Sequence, residues 1–146
     1  MYKRQVWGDE EPGFADSTAT ILPAVTDFGA IVDIDVADID GDGINDVLLN
    51  RVGSPPGRAS YDGAYLQLLK GLEDGRTFSD ITESSIDNQA LLDTYGNIVS
   101  WFVWLTLQDW DLDGDLDILV DNQPFPAQSF VMINHGLTLF LSLIHI

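Results

Sequence analysis

The sequence predicts an all-β fold made of two similar units of short antiparallel strands. A nine-residue acidic motif occurs twice, and each copy lies between segments that are typical of β-strands. Signals for helices are weak along the chain. Because the two copies start 71 residues apart, each unit should contain about 65 to 70 residues and one acidic hairpin.

The repeated motif has the pattern D-x-D-x-D-G-x-x-D and occupies residues 38–46 and 109–117 without a gap. A second element, F-x-D-x-T, occurs at residues 14–18 and again at residues 78–82, at an offset of 64. The difference between the offsets places about seven additional residues in the second unit, where residues 88–97 are expected to form a loop.

The segments around the acidic motifs have the composition of strands. Residues 30–37 alternate imperfectly between apolar and acidic side chains, and residues 100–107 are rich in aromatic and β-branched residues. Further strands are predicted at residues 47–49, 65–70, 118–120 and 129–134. We expect Asp33 and Asp35 to lie on the outward face of the strand predicted at residues 30–37, outside any metal site.

Composition excludes several classes of function. The chain has 24 acidic and 6 basic residues, a net charge of −18, which argues against nucleic acid or an anionic membrane as a partner. Its longest apolar run, residues 98–107, is far shorter than the roughly 20 residues that cross a bilayer, so no membrane insertion is expected. With no cysteine, disulfides, thiol catalysis and cysteine-type zinc sites are excluded.

The acidic motifs predict two cation sites, because closely spaced carboxylates repel one another unless a cation lies between them. Oxygen ligands on a flexible loop favour Ca²⁺ over softer metals and over Mg²⁺. The predicted side-chain ligands are Asp38, Asp40, Asp42 and Asp46 in the first site and Asp109, Asp111, Asp113 and Asp117 in the second. At position 7, Ile44 and Asp115 would offer backbone carbonyls. Gly43 and Gly114 at position 6 suit the turn around the ion.

Two alternatives compete with this interpretation. An EF-hand begins in the same way but requires a glutamate at position 12 and flanking helices, whereas position 12 here is Leu49 or Val120 inside a strand-like run. The other alternative is an exposed aspartate-rich turn that binds no metal. The gap-free second copy favours the metal site.

These motifs resemble the FG-GAP and VCBS repeats of integrin-α-like β-propellers, and the F-x-D-x-T element is similar to proteins related to cartilage acidic protein. The resemblance implies a partial β-propeller of about two four-stranded antiparallel blades with calcium-binding hairpin loops. Since two blades cannot close a ring, it also implies that the remaining blades of a longer chain are partners. The aromatic residues Trp101, Phe102, Trp104 and Trp110 would then pack in the core and between blades, or stack on a ligand.

Both ends of the chain resemble sequence introduced during library preparation. Residues 1–5 resemble one reading frame of a transposase sequencing adapter, and residues 141–146 resemble a frame of its reverse complement. On this interpretation, residues 6–77 form the first repeat unit and residues 78–140 form a truncated second unit.

The function implied by the resemblance is non-catalytic. We expect a Ca²⁺-stabilised segment of a secreted or cell-surface protein, with the periplasm as another location, that binds a protein or glycan ligand. The alternative is the scaffold of an extracellular carbohydrate-active enzyme, a lyase or a hydrolase. His135 is the only histidine before residue 141, and the sequence offers no Ser-His-Asp or Cys-His arrangement. No catalytic residue is therefore predicted.

Overall fold

The computed structural model describes residues 7–8, 14–15, 25–53, 65–75, 77–88, 102, 104–121, 129–136 and 139–142. These residues form ten short strands and one helix of four residues. The prediction of an all-β fold is confirmed, and every strand pair is antiparallel. The elements near the N-terminus are β1 (Trp7–Gly8) and β2 (Phe14–Ala15), which pair with each other.

The first large sheet contains four consecutive strands in the order β3-β4-β5-β6. Their bounds are Ala30–Ala37 (β3), Asp46–Val52 (β4), Tyr65–Gly71 (β5) and Phe78–Asp80 (β6). The helix α1 (Thr82–Ser85) follows directly. Each strand pairs with its neighbour in the chain, as expected where short connections join antiparallel strands.

The second sheet has the same topology, with the order β7-β8-β9-β10. Its strands are Trp104–Gln108 (β7), Asp117–Asp121 (β8), Phe130–Asn134 (β9) and Leu139–Ser142 (β10). β10 includes the first two residues of the segment that resembles an adapter, and Leu141 pairs with Met132. Residues 1–5 and 143–146 lie outside the described residues.

Most predicted strands agree with the structure to within a few residues. Residues 30–37 coincide with β3, whereas the prediction at residues 100–107 is displaced toward β7. Phe102 is a buried residue before that strand. Most of the predicted loop at residues 88–97, and of the first F-x-D-x-T copy, lies outside the described residues.

One apolar core lies between the two large sheets. The first sheet contributes Leu48, Leu66 and Leu68, and the second contributes Leu105, Ile118, Val120, Phe130 and Met132. Phe102 packs edge-on against Phe130, with ring centroids 5.3 Å apart. Two hydrogen bonds also connect the first sheet to the second unit. Asn50 Nδ2 donates to the Phe102 carbonyl at 2.6 Å, and the Leu105 amide donates to Asp33 Oδ2 at 3.2 Å.

The expectation that Asp33 and Asp35 face outward is wrong. Both are half-buried on the side of β3 that faces β7, while Ile34 and Val36 are 53% and 59% exposed. Asp35 Oδ2 has no hydrogen-bond partner among the described residues, and burial, followed by the neighbouring Asp33 charge, raises the pKa of this carboxyl. Alternation alone separates the two faces of a strand but does not state which face a second sheet covers.

The second F-x-D-x-T copy connects β6 and α1 to the sheet. Asp80 Oδ1 accepts the Thr82 amide at 3.0 Å and the Thr82 hydroxyl at 2.6 Å. Thr82 Oγ1 in turn accepts the Leu68 amide at 2.9 Å, and Asp80 Oδ2 accepts Gln67 Nε2 at 2.6 Å. The aspartate and threonine of this motif therefore have structural roles.

We predict that Leu48→Ala lowers the free energy of unfolding by about 2–5 kcal/mol, because it leaves a cavity in the core between the sheets. Leu48 is 0% exposed, whereas Leu72, just after β5, is 40% exposed. Leu72→Ala is therefore the matched control and should change stability by less than about 1 kcal/mol. Urea unfolding of both variants measures the difference, and equal losses would contradict the assigned core.

Candidate metal centre

The two acidic loops connect equivalent strands and have the same backbone shape. Residues 38–45 join β3 to β4, and residues 109–116 join β7 to β8. Gly43 and Gly114, at position 6 of the motif, have φ values of 88° and 101°. Gly41 and Leu112, at position 4, also have positive φ, 75° and 66°. These left-handed residues bend each loop so that its carboxylates point inward onto its own amides.

The same three hydrogen bonds form inside each loop. In the first loop the donors and acceptors are Asp42 N to Asp40 Oδ1 (3.2 Å), Gly43 N to Asp38 Oδ2 (2.9 Å) and Ile44 N to Asp42 Oδ1 (2.9 Å). In the second they are Asp113 N to Asp111 Oδ1 (3.3 Å), Gly114 N to Asp109 Oδ2 (3.2 Å) and Asp115 N to Asp113 Oδ1 (3.0 Å). The loops therefore share one internal geometry although the residues between the aspartates differ.

The aspartates at position 9 are buried and connect each loop to the third strand of its sheet. Asp46 is 1% exposed, and its two oxygens accept the amides of Ile39 at 3.0 Å and Gly71 at 2.9 Å. Asp117 is 0% exposed and accepts the amides of Trp110 at 2.7 Å and Asn134 at 2.8 Å. We call this arrangement the aspartate clamp. Burial raises the pKa of Asp46, an effect that its two amide hydrogen bonds oppose.

The structure brings together most of the predicted ligands. Carboxylate oxygens of Asp38, Asp40 and Asp42 lie within 4.8 Å of one another, as do those of Asp109, Asp111 and Asp117. Asp46 and Asp113 lie outside these two groups. Ile44 and Asp115 occupy position 7 of the loops, where the role of their carbonyls as ligands stays a prediction.

One carboxylate oxygen in each loop is buried without a hydrogen-bond partner among the described residues. The two atoms are Asp38 Oδ1 and Asp109 Oδ1, which occupy the same place in the two motifs. A buried, unpaired carboxylate oxygen costs free energy unless a donor or a cation binds it. A hard cation held by oxygen ligands would satisfy both atoms, so the residues present fit Ca²⁺.

The two loops differ in the charge beside them. The Lys70 ammonium contacts Asp40 and lies 2.8 Å from Asp42 Oδ2. These contacts raise the pKa of Lys70, and its hydrogen bond lowers the pKa of Asp42. In the second loop burial, followed by the charge of Asp113, raises the pKa of Asp111.

The strand register explains this difference. Leu69 pairs with Val47 as Met132 pairs with Ile118, so Lys70 corresponds to Ile133, which carries no charge. Beside the second loop, His135 Nδ1 lies 3.7 Å from Asp113 Oδ2. The first loop is therefore partly neutralised by the chain itself.

Sequence reasoning missed three residues around the loops. Besides Lys70, Asn134 Nδ2 donates to the carbonyls of Ile39 and Leu116, both at 3.2 Å, and so joins β9 to the first loop. A Cβ at Gly71 would lie 2.4 Å from the Asn45 carbonyl oxygen, so the close approach of the first loop leaves no room for a side chain at this position. All three residues lie at the C-terminal end of the third strand of their sheet. Aligning the two repeats beyond the acidic motif could have indicated these positions.

We predict that Asp117→Asn lowers the free energy of unfolding by about 1–3 kcal/mol, because the amide can accept only one of the two backbone N–H groups of the clamp. Asp27→Asn is the matched control, since Asp27 is exposed outside the loops and asparagine tolerates its φ of 67°. Thermal unfolding in the presence of chelator separates this effect from metal binding. Equal stability of the two variants would contradict the clamp.

Comparison of the chain with protein-family models, curated proteins and solved structures found no match. In the part of the chain that the structure describes, no helix is long and apolar enough to cross a membrane. The geometry of the two acidic loops is therefore the basis for a functional proposal.

Proposed function

We propose that this chain is a calcium-binding repeat segment of the FG-GAP/VCBS type, part of a β-propeller in a secreted or cell-surface protein. In this proposal the segment is non-catalytic and its Ca²⁺ ions are structural. One observation supports it above all: two loops 71 residues apart share their hydrogen bonds, their left-handed residues and one buried, unpaired aspartate oxygen.

The ligand set proposed for each ion contains oxygen atoms only. Asp38, Asp40 and Asp42 would hold the first ion, and Asp109, Asp111 and Asp117 the second. The remaining predicted ligands are Asp46 and Asp113, with the carbonyls of Ile44 and Asp115. Each carboxylate oxygen has two lone pairs, so an aspartate that accepts an amide N–H can still bind a cation.

Bound Ca²⁺ would neutralise the repulsion among the aspartates at the tip of each hairpin. Ligand binding to the folded state alone stabilises it by RT ln(1 + [L]/Kd). Loops of extracellular type bind with a Kd of about 10⁻⁴ to 10⁻³ M, so they fill outside a cell. This affinity range is the reason for proposing a secreted or surface location, or the periplasm.

The sheet topology supports the propeller part of the proposal. Two four-stranded antiparallel sheets of the same strand order pack face to face through one apolar core. Propeller blades have this strand number and packing. The partners that we propose are further blades and, through the loops, a protein or glycan ligand.

We predict that the chain binds two Ca²⁺ ions in a calorimetric titration and that Mg²⁺ competes poorly. Asp38→Asn and Asp109→Asn should each remove one site, because each variant replaces the buried, unpaired oxygen of one loop. Asp27→Asn should leave both sites intact. If all three variants bind as many ions as the parent chain, the ligand assignment is incorrect. If the parent chain binds no Ca²⁺, the proposed function is incorrect.

We also predict that Lys70→Met strengthens Ca²⁺ binding to the first loop, because the ion no longer competes with the ammonium. A single ion pair near a protein surface contributes little free energy, so the dissociation constant should fall by only about 1.4- to fivefold. The titration is best made in the Asp109→Asn background, where only the first loop binds. Lys70→Arg keeps the charge and is the control, and equal affinities of the two variants would argue against competition.

A further inference from the structure

One buried side chain connects the two acidic loops directly. Asn134, the last residue of β9, is 0% exposed, and its Nδ2 donates to the carbonyls of Ile39 and Leu116, both at 3.2 Å. Ile39 is the second residue of the first motif, and Leu116 is the eighth residue of the second. An asparagine amide has two N–H donors, so one group can bind both loops. We call this contact the asparagine bridge.

The asparagine bridge is continuous with both aspartate clamps. On the first loop, the Ile39 amide donates to Asp46 Oδ2 at 3.0 Å, while the Ile39 carbonyl accepts from Asn134. On the second loop, the Asn134 amide donates to Asp117 Oδ1 at 2.8 Å. One unbroken series of buried hydrogen bonds thus runs from Asp46 in the first clamp to Asp117 in the second.

The bridge contacts each loop beside a predicted ligand. The Ile39 carbonyl belongs to the peptide group that leads into Asp40, and the Leu116 carbonyl belongs to the one that leads into Asp117. Carboxylates of both aspartates are among the oxygens that converge in their loops. A shift of either peptide group would therefore move a carboxylate relative to its cation site.

The bridge is separate from the clamp, as comparison of the two units shows. Gly71 occupies the place in the first sheet that Asn134 occupies in the second. Both residues donate their backbone amides to the clamp aspartate of their own loop. Gly71 has no side chain, so the first unit has a clamp without a bridge. The clamp needs only the backbone, whereas the bridge needs the side chain of Asn134.

We propose that Asn134 is a positioning residue that couples the two cation sites, so that Ca²⁺ bound in one loop raises the affinity of the other. The inference rests on the proposed function and adds regulation to it, because coupled sites fill together over a narrow range of Ca²⁺ concentration. A bound cation fixes the carboxylates of its loop, and the bridge transmits part of this order to a peptide group of the other loop. The second ion then binds a loop that loses less conformational entropy.

Direct repulsion between two bound cations acts in the opposite direction. Salt screens this repulsion, whereas the hydrogen bonds of the bridge are buried and are screened much less. Coupling through the bridge should therefore persist when the salt concentration rises. By linkage, each loop changes the affinity of the other by the same factor.

The test is calorimetric Ca²⁺ titration of the parent chain, Asp38→Asn and Asp109→Asn. Under the proposed function, each variant keeps one site. The product of the two single-site association constants is compared with the overall association constant for two ions in the parent chain. Independent sites make these quantities equal, whereas we expect the overall constant to exceed the product by about fivefold or more, as in other coupled pairs of sites.

Repeating the comparison in an Asn134→Ala background tests the bridge itself. This variant removes the bridge and keeps the backbone amide of the clamp, so the overall constant should equal the product. Asn50→Ala is the matched control. Asn50 is also 0% exposed and donates its Nδ2 to a carbonyl of the second unit, that of Phe102, but it lies outside both loops. Its coupling should be that of the parent chain. Thermal unfolding with chelator shows how far each variant is destabilised.

A second measurement needs no substitution at the bridge and decides the matter if Asn134→Ala does not fold. Asp109→Asn is expected to bind Ca²⁺ only in the first loop, so hydrogen exchange in its second loop reports what the bridge transmits. Adding Ca²⁺ should slow exchange of the Trp110 amide, which belongs to the second clamp. The Ser84 amide in α1, which bonds neither loop, is the control and should change less.

Three results would overturn the inference: an overall constant in the parent chain that equals the product, a coupling that Asn134→Ala and Asn50→Ala change equally, or exchange at Trp110 that slows no more than at Ser84. A chain that binds two Ca²⁺ ions independently would refute the inference and leave the proposed function standing. A chain that binds no Ca²⁺ would refute both.

Discussion

The aspartate clamp holds the structure around each acidic loop together. Asp46 and Asp117 are buried carboxylates, and each accepts one amide from the start of its loop and one from the end of the third strand. One side chain therefore joins a hairpin tip to a strand that is not part of the hairpin. A buried carboxylate is tolerated only when donors surround it, so each clamp makes the stability of the loop depend on the third strand.

The clamp also decides where charge accumulates. In the first loop the aspartates at the earlier positions, Asp38, Asp40 and Asp42, converge, whereas in the second loop Asp109 and Asp111 converge with the clamp residue Asp117 itself. The two loops differ in the charge beside them, because the third strand of the first sheet carries Lys70 where that of the second sheet carries the uncharged Ile133. Two loops of equal backbone geometry thus differ in the charge of the side chain beside them. The difference arises on the third strand, outside the motif.

The two sheets do not pack symmetrically, in contrast to the two loops. The loops are alike, but the sheets meet through opposite faces, so equivalent residues such as Ile34 and Leu105 have very different exposure. The choice of face explains why Asp33 and Asp35 could not be placed from the sequence. A strand with apolar residues on one side and carboxylates on the other is expected to bury the apolar side, and here the neighbouring sheet covers the carboxylates.

The sequence by itself determined the all-β class, the positions of most strands and most of the residues that converge in each loop. These depend on local rules, namely strand composition, the turn formed at Gly43 and Gly114, and the spacing of aspartates within nine residues. Only the tertiary structure decided that Asp46 and Asp117 bind backbone amides, that Lys70 partly neutralises the first loop, and which face of β3 is covered. Each of these depends on contacts between residues that are distant in the chain, and one sequence holds no record of such distances.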